Sequence, residues 1–410
     1  MLKHLLRFAK LIEFLTLKRA RVYALLTSII AASVVLSFAI ESPQRLTGAT
    51  DFPAFYNAGK ILNEHSSQHL YDRDLQRQLY VNLAPDAASR QNLYFAYSPF
   101  FALIFSPFAM LPYTAAFVCW TLVSLTLFTV GFFLVWKAEA LPPRDRTDAF
   151  LVAVAFLPFF TWCLTTGQTS AFGFFWLALA IYFDRNVRPF QSGCALAILL
   201  YKPTLLVLIL PMLVITKRWR TILGFSVAAL GLGLISLLLI GANGIVPYVR
   251  MLEAFSEDKA SGRHPNWADI DIFSFFLPLV GGHSTAARLL TLIVAMIVVP
   301  FLYLVWRRRP EVGWATAIIW TLVLNFYVLI YDVTFIVLAV LLTAAFYIAN
   351  RHRLPLGLRW FMLVLFLVPW IETNLALRYG FHPMTLVIVG FGCYQLYQVS
   401  NNVALTNAST

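Results

Sequence analysis

Long apolar stretches alternate with short polar ones along nearly the whole chain, from Val22 to Val399. The apolar stretches are about 15 to 25 residues long, and about 20 apolar residues cross the hydrocarbon core of a bilayer as one helix. The residue-by-residue alternation that is typical of membrane β-barrel strands is missing from the sequence. The pattern therefore predicts an all-α, polytopic integral membrane protein, with residues 1–410 forming a single transmembrane domain.

Most of these stretches have the length of a full span, and two do not. The predicted full spans are 22–40, 113–136, 148–164, 169–184, 219–241, 285–306, 312–330, 333–350, 358–371 and 383–399. Segment 97–111 is short and is flanked by prolines, and segment 190–215 is long but interrupted by Lys202-Pro203. These two segments decide the topology.

Two topologies fit the pattern. In the first, 97–111 is half-embedded on the outer side, and 190–215 is a hairpin of two short helices with Lys202 at its outer tip. In the second, both segments cross the membrane and Lys202 is buried within it, at a cost of roughly 3 kcal/mol. Only the first concentrates lysine and arginine in the inner loops, as the positive-inside rule requires. We therefore predict about 12 spans, with an uncleaved first helix and the basic N-terminal segment inside.

This topology leaves short inner loops and two large outer ones, 41–112 with juxtamembrane segments and 242–284. After Asp51, apolar and polar residues recur at helical spacing, as in a helix that lies on the membrane surface. The topology also brings four polar features to the outer face: Asp51, Gly167-Gln168, Lys202 and Tyr331-Asp332. The functional side of the protein is therefore predicted to be the outer one.

Composition supports the membrane assignment and removes other classes. Hydrophobic residues make up 60% of the chain and charged residues 12%, against roughly 25% charged in soluble proteins. The net charge of +12 follows from basic inner loops, and no basic patch with interleaved aromatic residues indicates nucleic-acid binding. The cysteines (Cys119, Cys163, Cys194 and Cys393) lie inside apolar stretches without metal-site spacing, so we interpret them as packing residues.

Asp51 and Lys202 have the clearest chemical potential, and each has a structural alternative. A carboxylate just above the bilayer can act as a general base toward a hydroxyl group, but an aspartate before Phe52-Pro53 also suits a helix N-cap. A lysine between two short apolar helices suits a lipid-linked phosphate, although its side chain could simply extend to the interface.

Further candidates lie at the other polar features. Gln168 could hydrogen-bond a sugar or phosphate, or Gly167-Gln168 could be only a tight turn. Tyr331-Asp332, at a junction of two spans with few polar neighbours, is a candidate site or another turn. Tyr56 and Tyr97 are candidate substrate-binding residues, although aromatic residues at an interface often only anchor a segment. The sequence contains no phosphate-binding loop or dinucleotide fingerprint, and its dispersed histidines make a weak metal site.

A series of short sequence signatures resembles the polytopic GT-C-type glycosyltransferases, specifically glycosyltransferase family 87. The signatures occur in the same order as in that family. The signatures are Asp51-Phe52 with Tyr56 and Ala58-Gly59, Leu70-Tyr71-Asp72, Phe95 through Pro99 with Pro107 and Leu111-Pro112, Gly167-Gln168, Lys202-Pro203 with Lys217-Arg218-Trp219-Arg220, and Tyr331-Asp332. They cover about residues 45 to 340. The resemblance implies a GT-C-like fold and an enzyme of the plasma (inner) membrane, with its active site facing the periplasm or exterior.

The resemblance also implies a reaction. A monosaccharide, with mannose expected, moves from a polyprenyl-phosphate donor to a lipid-linked or envelope glycan acceptor, with inversion. Asp51 matches the place of the catalytic base, and Lys202 would bind the donor phosphate; Tyr56, Tyr97, Gln168, Tyr331 and Asp332 are substrate-binding candidates. The second acid that other GT-C enzymes carry beside the base is missing here, which leaves metal dependence open. The resemblance to family 87 implies an enzyme without an obligatory metal, so no metal and no cofactor are expected. The implied partners are the donor, the acceptor and membrane lipids, with no nucleic acid.

A transporter or flippase of a lipid-linked substrate is the alternative function. It would place polar residues near the bilayer midplane and often shows inverted repeats. No convincing internal repeat is visible in the sequence, and the predicted polar features lie on one face. A non-catalytic scaffold would not need Asp51, Lys202 and Asp332 together.

Overall fold

The computed structural model describes residues 16–41, 50–85, 93–260, 268–351 and 354–407. Within these ranges the regular secondary structure is helical, apart from an isolated antiparallel bridge between Asp269 and Leu329, so the predicted all-α class is confirmed there. The α-helices are α1 (Leu17–Glu41), α2 (Phe52–Glu64), α3 (Arg73–Leu83), α4 (Pro99–Ala109), α5 (Tyr113–Ala138), α6 (Arg146–Val154), α7 (Ser170–Arg185), α8 (Pro189–Ile198), α9 (Ile209–Ile215), α10 (Trp219–Ala260), α11 (Ile272–Leu279), α12 (Ser284–Arg308), α13 (Pro310–Val323), α14 (Ile336–Arg351), α15 (Leu356–Leu367), α16 (Pro369–Tyr379) and α17 (Pro383–Asn407).

The described chain contains helices that are long and apolar enough to cross a membrane. Four stretches meet this criterion: Tyr113–Ala138, Trp219–Ala254, Ser284–Arg308 and Ile330–Asn350. The number rises to six when each of two bent helix pairs counts as one span. The chain is thus a membrane protein, but the predicted number of about 12 spans is not confirmed.

The count differs partly because two predicted spans are broken into short pieces, and partly because others fall on short helices, such as α7 with 16 residues and α13 with 14. The predicted span 148–164 consists of α6 and a wide helical turn over Pro158–Leu164, and the chain bends by 49° between them. The predicted span 358–371 falls on α15 and α16, which meet at 58° where Pro369 begins α16. A proline removes a backbone donor and blocks the preceding helical turn. The sequence pattern measures apolar length and does not register these breaks.

Segment 189–215 turns back on itself at Lys202. Short 3₁₀ turns, Leu199–Tyr201 and Pro203–Leu206, flank this lysine. The start of α8 packs against the start of α10, where a Cβ added to Gly193 would lie 1.9 Å from the carbonyl oxygen of Thr221. Since α9 ends directly before α10 begins, both ends of the segment lie together at the start of α10. The described geometry is that of a hairpin, with Lys202 at its turn.

Helix α2 forms in the first loop as predicted, and it packs closely against other parts of the protein. Most of its residues from Phe52 to Ile61 are buried within the protein. Its main partner is α4: the rings of Phe55 and Phe105 stack with centroids 5.0 Å apart. Gly59 allows this approach, since a Cβ there would lie 2.4 Å from the Phe105 carbonyl oxygen. The helix's polar residues occur among buried apolar ones, so its sequence pattern resembles that of a surface helix.

The second predicted loop, 242–284, is largely helical. Helix α10 bends at Gly241, whose φ of 64° is in the left-handed region, and then continues to Ala260. After the residues that the structure does not describe, Ile270 N donates to Val328 O over 3.0 Å. The side chain of Asp271 accepts hydrogen bonds from Ser274 N, at the start of α11, and from Val328 N. This loop therefore supports the extended residues that precede Tyr331-Asp332.

The close contact of α2 with α4 makes Gly59 sensitive to substitution. We expect Gly59→Ala to lower the free energy of unfolding by about 1–3 kcal/mol, since overpacking displaces a backbone. Gly231→Ala in α10 is the matched control, because a Cβ there meets no atom within 4 Å, and it should leave stability unchanged or raise it by up to ~1 kcal/mol. Thermal unfolding of both variants in detergent checks this, and equal effects would contradict the packing described.

Candidate active site

Polar residues from four distant parts of the chain meet in one buried region. Gln168 contacts Asp51, Lys202 contacts Asp332, and Ser170 contacts Asp332. The region lies where helices begin or break: before α2, before α7, at the turn of the hairpin and before α14. Broken helices leave backbone donors and acceptors that polar side chains can satisfy. The four polar features that the sequence analysis assigned to one face are thus neighbours.

Asp51 occupies the N-cap position of α2, but its side chain does not cap the helix. Its backbone φ is −92° and ψ is −10°, and it makes no side-chain capping bond. Instead, Gln168 Nε2 donates to Asp51 Oδ2 over 2.5 Å. The backbone N–H groups of Asp51 and Phe52 both donate to Thr166 O, over 3.0 and 3.2 Å. The capping alternative is therefore wrong for the carboxylate, which faces the turn before α7 and remains half-buried.

The turn that carries Gln168 has little freedom to move. Gly167 has a φ of 70°, and a Cβ on it would lie 2.6 Å from Phe52 Cβ. Trp120 Nε1 donates to Gly167 O over 3.0 Å. Gln168 is 3% exposed, and its Oε1 accepts a hydrogen bond from Thr169 N over 3.3 Å. That bond leaves the Nε2 group facing Asp51, so the amide presents a donor to the carboxylate.

Lys202 and Asp332 form an ion pair that is almost fully enclosed. Lys202 Nζ lies 2.5 Å from Asp332 Oδ2, and their side chains are 5% and 1% exposed. Asp332 also accepts hydrogen bonds from Ser170 Oγ over 3.0 Å and from Leu329 N over 3.2 Å. A buried carboxylate with three donors keeps its charge satisfied. Of the two alternatives for Lys202, the snorkelling one is wrong, because the ammonium group points inward.

Tyrosine rings surround the ammonium group of Lys202. The group lies 4.9 Å from the ring centre of Tyr331 and 5.7 Å from that of Tyr327, within the range of cation–π attraction. Tyr97 interacts with Thr169 and Tyr331, and its ring stacks on Tyr201 with centroids 6.1 Å apart. The predicted candidates Tyr97 and Tyr331 thus belong to the site. The sequence analysis did not identify Tyr327 as a site residue. The one feature that could have indicated it is its position four residues before Tyr331, in the same apolar stretch.

Tyr56 is a predicted candidate that packs elsewhere. Its hydroxyl group donates to Leu111 O over 2.8 Å, and its ring meets that of Tyr113 edge-on. Both contacts join α2 to the start of α5, and Tyr56 is 7% exposed. The structure therefore gives it a packing environment, one helical turn along α2 from the carboxylate.

Burial and two polar neighbours shift the pKa of the Asp51 carboxyl group in opposite directions. Removal from water raises the pKa of its carboxyl group above the ordinary value, while the hydrogen bond from Gln168 and the positive charge of Lys202 lower it. Burial has the largest effect, so the net pKa is raised. A carboxylate with a raised pKa is a stronger base than an ordinary aspartate.

Gln168, Thr169 and Ser170 connect the two acids through consecutive residues. Gln168 donates to Asp51, Ser170 donates to Asp332, and Thr169 O accepts a hydrogen bond from Tyr201 OH over 3.2 Å. Within the described residues, no cluster of three or more His, Cys, Asp or Glu side chains could hold a metal ion. These features are those of a polytopic membrane protein with a polar, acid–base site between its helices.

Comparison with known proteins identifies the family. The family model described as glycosyltransferase family 87 matches residues 95–331, more than half of the 410 residues. The chain therefore belongs to glycosyltransferase family 87, and it is a membrane glycosyltransferase. No curated protein and no solved structure matches the chain in the other two comparisons.

The family match covers only part of the site. Tyr97, Gln168, Lys202 and Tyr331 lie within the matched range, whereas Asp51 lies before it and Asp332 directly follows it. The placement of the two acids in the site therefore depends on their contacts. The family membership does not favour the transporter alternative.

The buried ion pair should be sensitive to the loss of either partner alone. Asp332→Asn leaves an uncompensated ammonium group, and we expect a loss of about 3–5 kcal/mol in unfolding free energy. The double variant Lys202→Met/Asp332→Leu should recover most of that loss, because it removes both buried charges. A double-mutant cycle that also includes Lys202→Met and Asp332→Leu alone measures this coupling by thermal unfolding.

The exposed pair Lys60–Glu64 is the control for this cycle. Its side chains are 33% and 52% exposed, with nitrogen and oxygen 3.6 Å apart. Lys60→Met should change stability by less than about 1 kcal/mol, because water screens the pair. A double variant at 202 and 332 that is no more stable than Asp332→Asn would refute the account of the pair.

Proposed function

We propose that this glycosyltransferase moves a monosaccharide, with mannose as the expected sugar, from a polyprenyl-phosphate donor to a lipid-linked or envelope glycan. The proposed location is the outer side of the plasma (inner) membrane, facing the periplasm or exterior. The observation that carries the proposal is the half-buried Asp51 carboxylate, which is oriented by Gln168 and lies within the field of Lys202.

In the proposed reaction, Asp51 acts as the general base. It takes the proton from an acceptor hydroxyl group while that oxygen attacks the anomeric carbon of the donor sugar. The bond from this carbon to the phosphate oxygen breaks, and its electron pair leaves with the polyprenyl phosphate. One displacement of this kind inverts the anomeric centre. A phosphate leaves without being protonated, so the reaction needs one base and no acid.

Lys202 is proposed to stabilise the charge that develops on the leaving phosphate. To do so, its ammonium group must turn from Asp332 toward the donor. Asp332 would then keep two donors, Ser170 Oγ and Leu329 N–H, so its charge stays partly satisfied. The nearby rings of Tyr97, Tyr327 and Tyr331 offer apolar faces on which a sugar ring can pack. These tyrosines are the proposed sugar-binding residues.

Gln168 is proposed as a positioning residue for the base. Its amide is buried, and its oxygen is bound by Thr169 N, so its hydrogen-bonding capacity is directed to Asp51. This differs from the expectation that Gln168 contacts the substrate. The bond fixes the carboxylate and favours its ionised form.

We expect Asp51→Asn to lower turnover by roughly 10² to 10⁴, the usual effect of losing a positioned base. Asp72→Asn is the matched control: Asp72 Oδ1 does cap its helix, accepting from Asp74 N and Leu75 N over 3.0 and 3.1 Å. An asparagine caps about as well as an aspartate, so this variant should keep its turnover. The measurement is transfer of labelled mannose from polyprenyl-phosphate mannose by the purified proteins.

Two results would contradict parts of this proposal. A fully active Asp51→Asn enzyme would remove Asp51 as the base. Transfer from polyprenyl-phosphate glucose but not from the mannose donor would replace the sugar while leaving the mechanism in place.

The pH dependence tests the role of Gln168. The rate falls at low pH as the base becomes protonated, and the raised pKa of Asp51 should place this fall above pH 3.8, the ordinary aspartate value. Gln168→Leu removes an interaction that lowers the pKa of Asp51, so the fall should move to higher pH. Turnover at neutral pH should drop roughly 10- to 100-fold, as for a lost hydrogen bond to a charged group.

Gln76→Leu is the control for this measurement. Gln76 is also 3% exposed, but within the described residues its side chain bonds the backbone groups Leu70 O and Phe95 N and no acid. Its loss should reduce stability without shifting the pH profile. An unshifted profile in Gln168→Leu would leave Gln168 a purely structural residue.

A further inference from the structure

A second polar site lies at the opposite end of the hairpin from Lys202. A cavity of about 260 Å³ opens where α8 and α10 begin. This volume is just below the roughly 300 Å³ at which pockets for drug-sized ligands begin, so it suits one small polar group. Its lining residues are Asp184, Pro189, Lys217, Arg218, Trp219, Arg220 and Thr221.

The cavity carries positive charge that its single acid does not neutralise. Arg218 Nη1 lies 2.7 and 2.9 Å from the two carboxylate oxygens of Asp184. Asp184 Oδ2 also accepts a hydrogen bond from Trp314 Nε1 over 2.8 Å. Asp184 and Arg218 therefore compensate each other. Within the described chain neither Lys217 nor Arg220 forms an ion pair, so two cations remain to attract an anion.

The turn that presents these cations is well defined. Lys217 has a φ of 58°, in the left-handed region, and its N–H donates to Val214 O over 3.0 Å. Arg218 N donates to Leu213 O over 2.9 Å. Side chains held on a fixed turn lose less freedom when they bind a ligand. Helices α8 and α10 both begin here, and their N-terminal ends add positive electrostatic potential.

Exposed apolar side chains next to the cavity indicate what kind of anion it meets. Trp219 on its rim is 60% exposed, and Leu223, one turn further along α10, is 57% exposed. Phe190 and Ile215, at the ends of the hairpin, are 41% and 43% exposed. From here α10 continues as one of the helices able to cross a membrane. Only 6% of its apolar stretch is buried in the protein. A ligand in the cavity therefore borders a surface that suits acyl chains.

We propose that this cavity binds the phosphate of an anionic phospholipid headgroup, with Lys217 and Arg220 as its cationic contacts. Basic pockets beside membrane helices bind such headgroups through their phosphate charge, and an exposed tryptophan suits the headgroup level of the bilayer. The lipid's acyl chains would lie along Phe190, Ile215 and Leu223. This site is separate from the Asp51 site, and the proposal does not depend on the reaction given above.

Lipid binding to the purified full chain tests the proposal. Native mass spectrometry in a neutral detergent would compare phosphatidylglycerol with phosphatidylcholine, and we expect preferential binding of phosphatidylglycerol. The double variant Lys217→Gln/Arg220→Gln should weaken phosphatidylglycerol binding by roughly 30-fold, from the usual effect of two basic residues near anionic lipid. Both side chains are exposed, so folding should be kept, and thermal unfolding verifies it.

The matched control removes the same charge outside the cavity. Arg307 and Arg308 end α12 and are exposed. They follow Trp306, whose ring centre lies 5.6 Å from the Arg218 guanidinium group, but they do not line the cavity. Arg307→Gln/Arg308→Gln should bind phosphatidylglycerol like the wild type. Equal losses in the two double variants would overturn the site in favour of diffuse charge. Equal binding of both lipids by the wild type would overturn the headgroup preference. Binding of soluble glycerol phosphate that depends on Lys217 and Arg220 as strongly as lipid binding does would overturn the assignment to a lipid.

Discussion

The buried ion pair between Lys202 and Asp332 is the interaction on which the site depends. It joins two helix breaks, the turn of the hairpin and the 3₁₀ turn before α14. Two charges removed from water are costly unless they are paired and hydrogen-bonded, and here Ser170 and Leu329 supply the additional bonds. Because Ser170 begins α7, the pair also fixes the turn that carries Gln168. The position of Asp51 follows from that turn.

The polar residues of the site lie at helix breaks rather than within continuous spans. Inside a membrane protein, irregular backbone is tolerated only where side chains or water satisfy it. Asn325 shows how the chain does this after α13: its amide nitrogen donates to Thr204 O and Thr321 O, and its oxygen accepts from Phe326 N. A site built from such breaks combines polar groups and an apolar exterior, which suits a substrate with a charged head and a lipid tail.

The hairpin links two ends of different electrostatic character. At its turn, Lys202 is paired with Asp332, and the Asp51 carboxylate lies nearby, so acids outnumber the cation. At its base, Arg218 is paired with Asp184, and two further cations remain, so bases outnumber the acid. The excess of bases at one end accords with the positive-inside rule. An anion at the Lys202 end must compete with Asp332, whereas an anion at the base finds free cations.

The membrane class, the all-α fold and the polar residues of the site could all be predicted from the amino-acid sequence. These follow from composition and from one-dimensional patterns, because the bilayer imposes the same apolar length on every span. Signatures in family order also indicated the family that the comparison confirmed. The number of spans was not determined, since apolar length does not reveal a bend such as that at Pro369. Likewise, the mixed pattern of α2 did not reveal that most of the helix is buried, with α4 as its main partner.

The contacts between polar groups, in contrast, could be learned from the three-dimensional fold alone. Asp51 and Gln168 are 117 positions apart, and Lys202 and Asp332 are 130 apart, so no local pattern could pair them. The sequence left Asp51 as either a base or a cap, and the capping bond depends on a side-chain direction set by packing against Gln168. It left Lys202 as either a phosphate ligand or a snorkelling residue, and the partner that turns it inward is on another segment. Pairing of buried charges is a three-dimensional constraint, because its energy depends on distance and on exclusion of water.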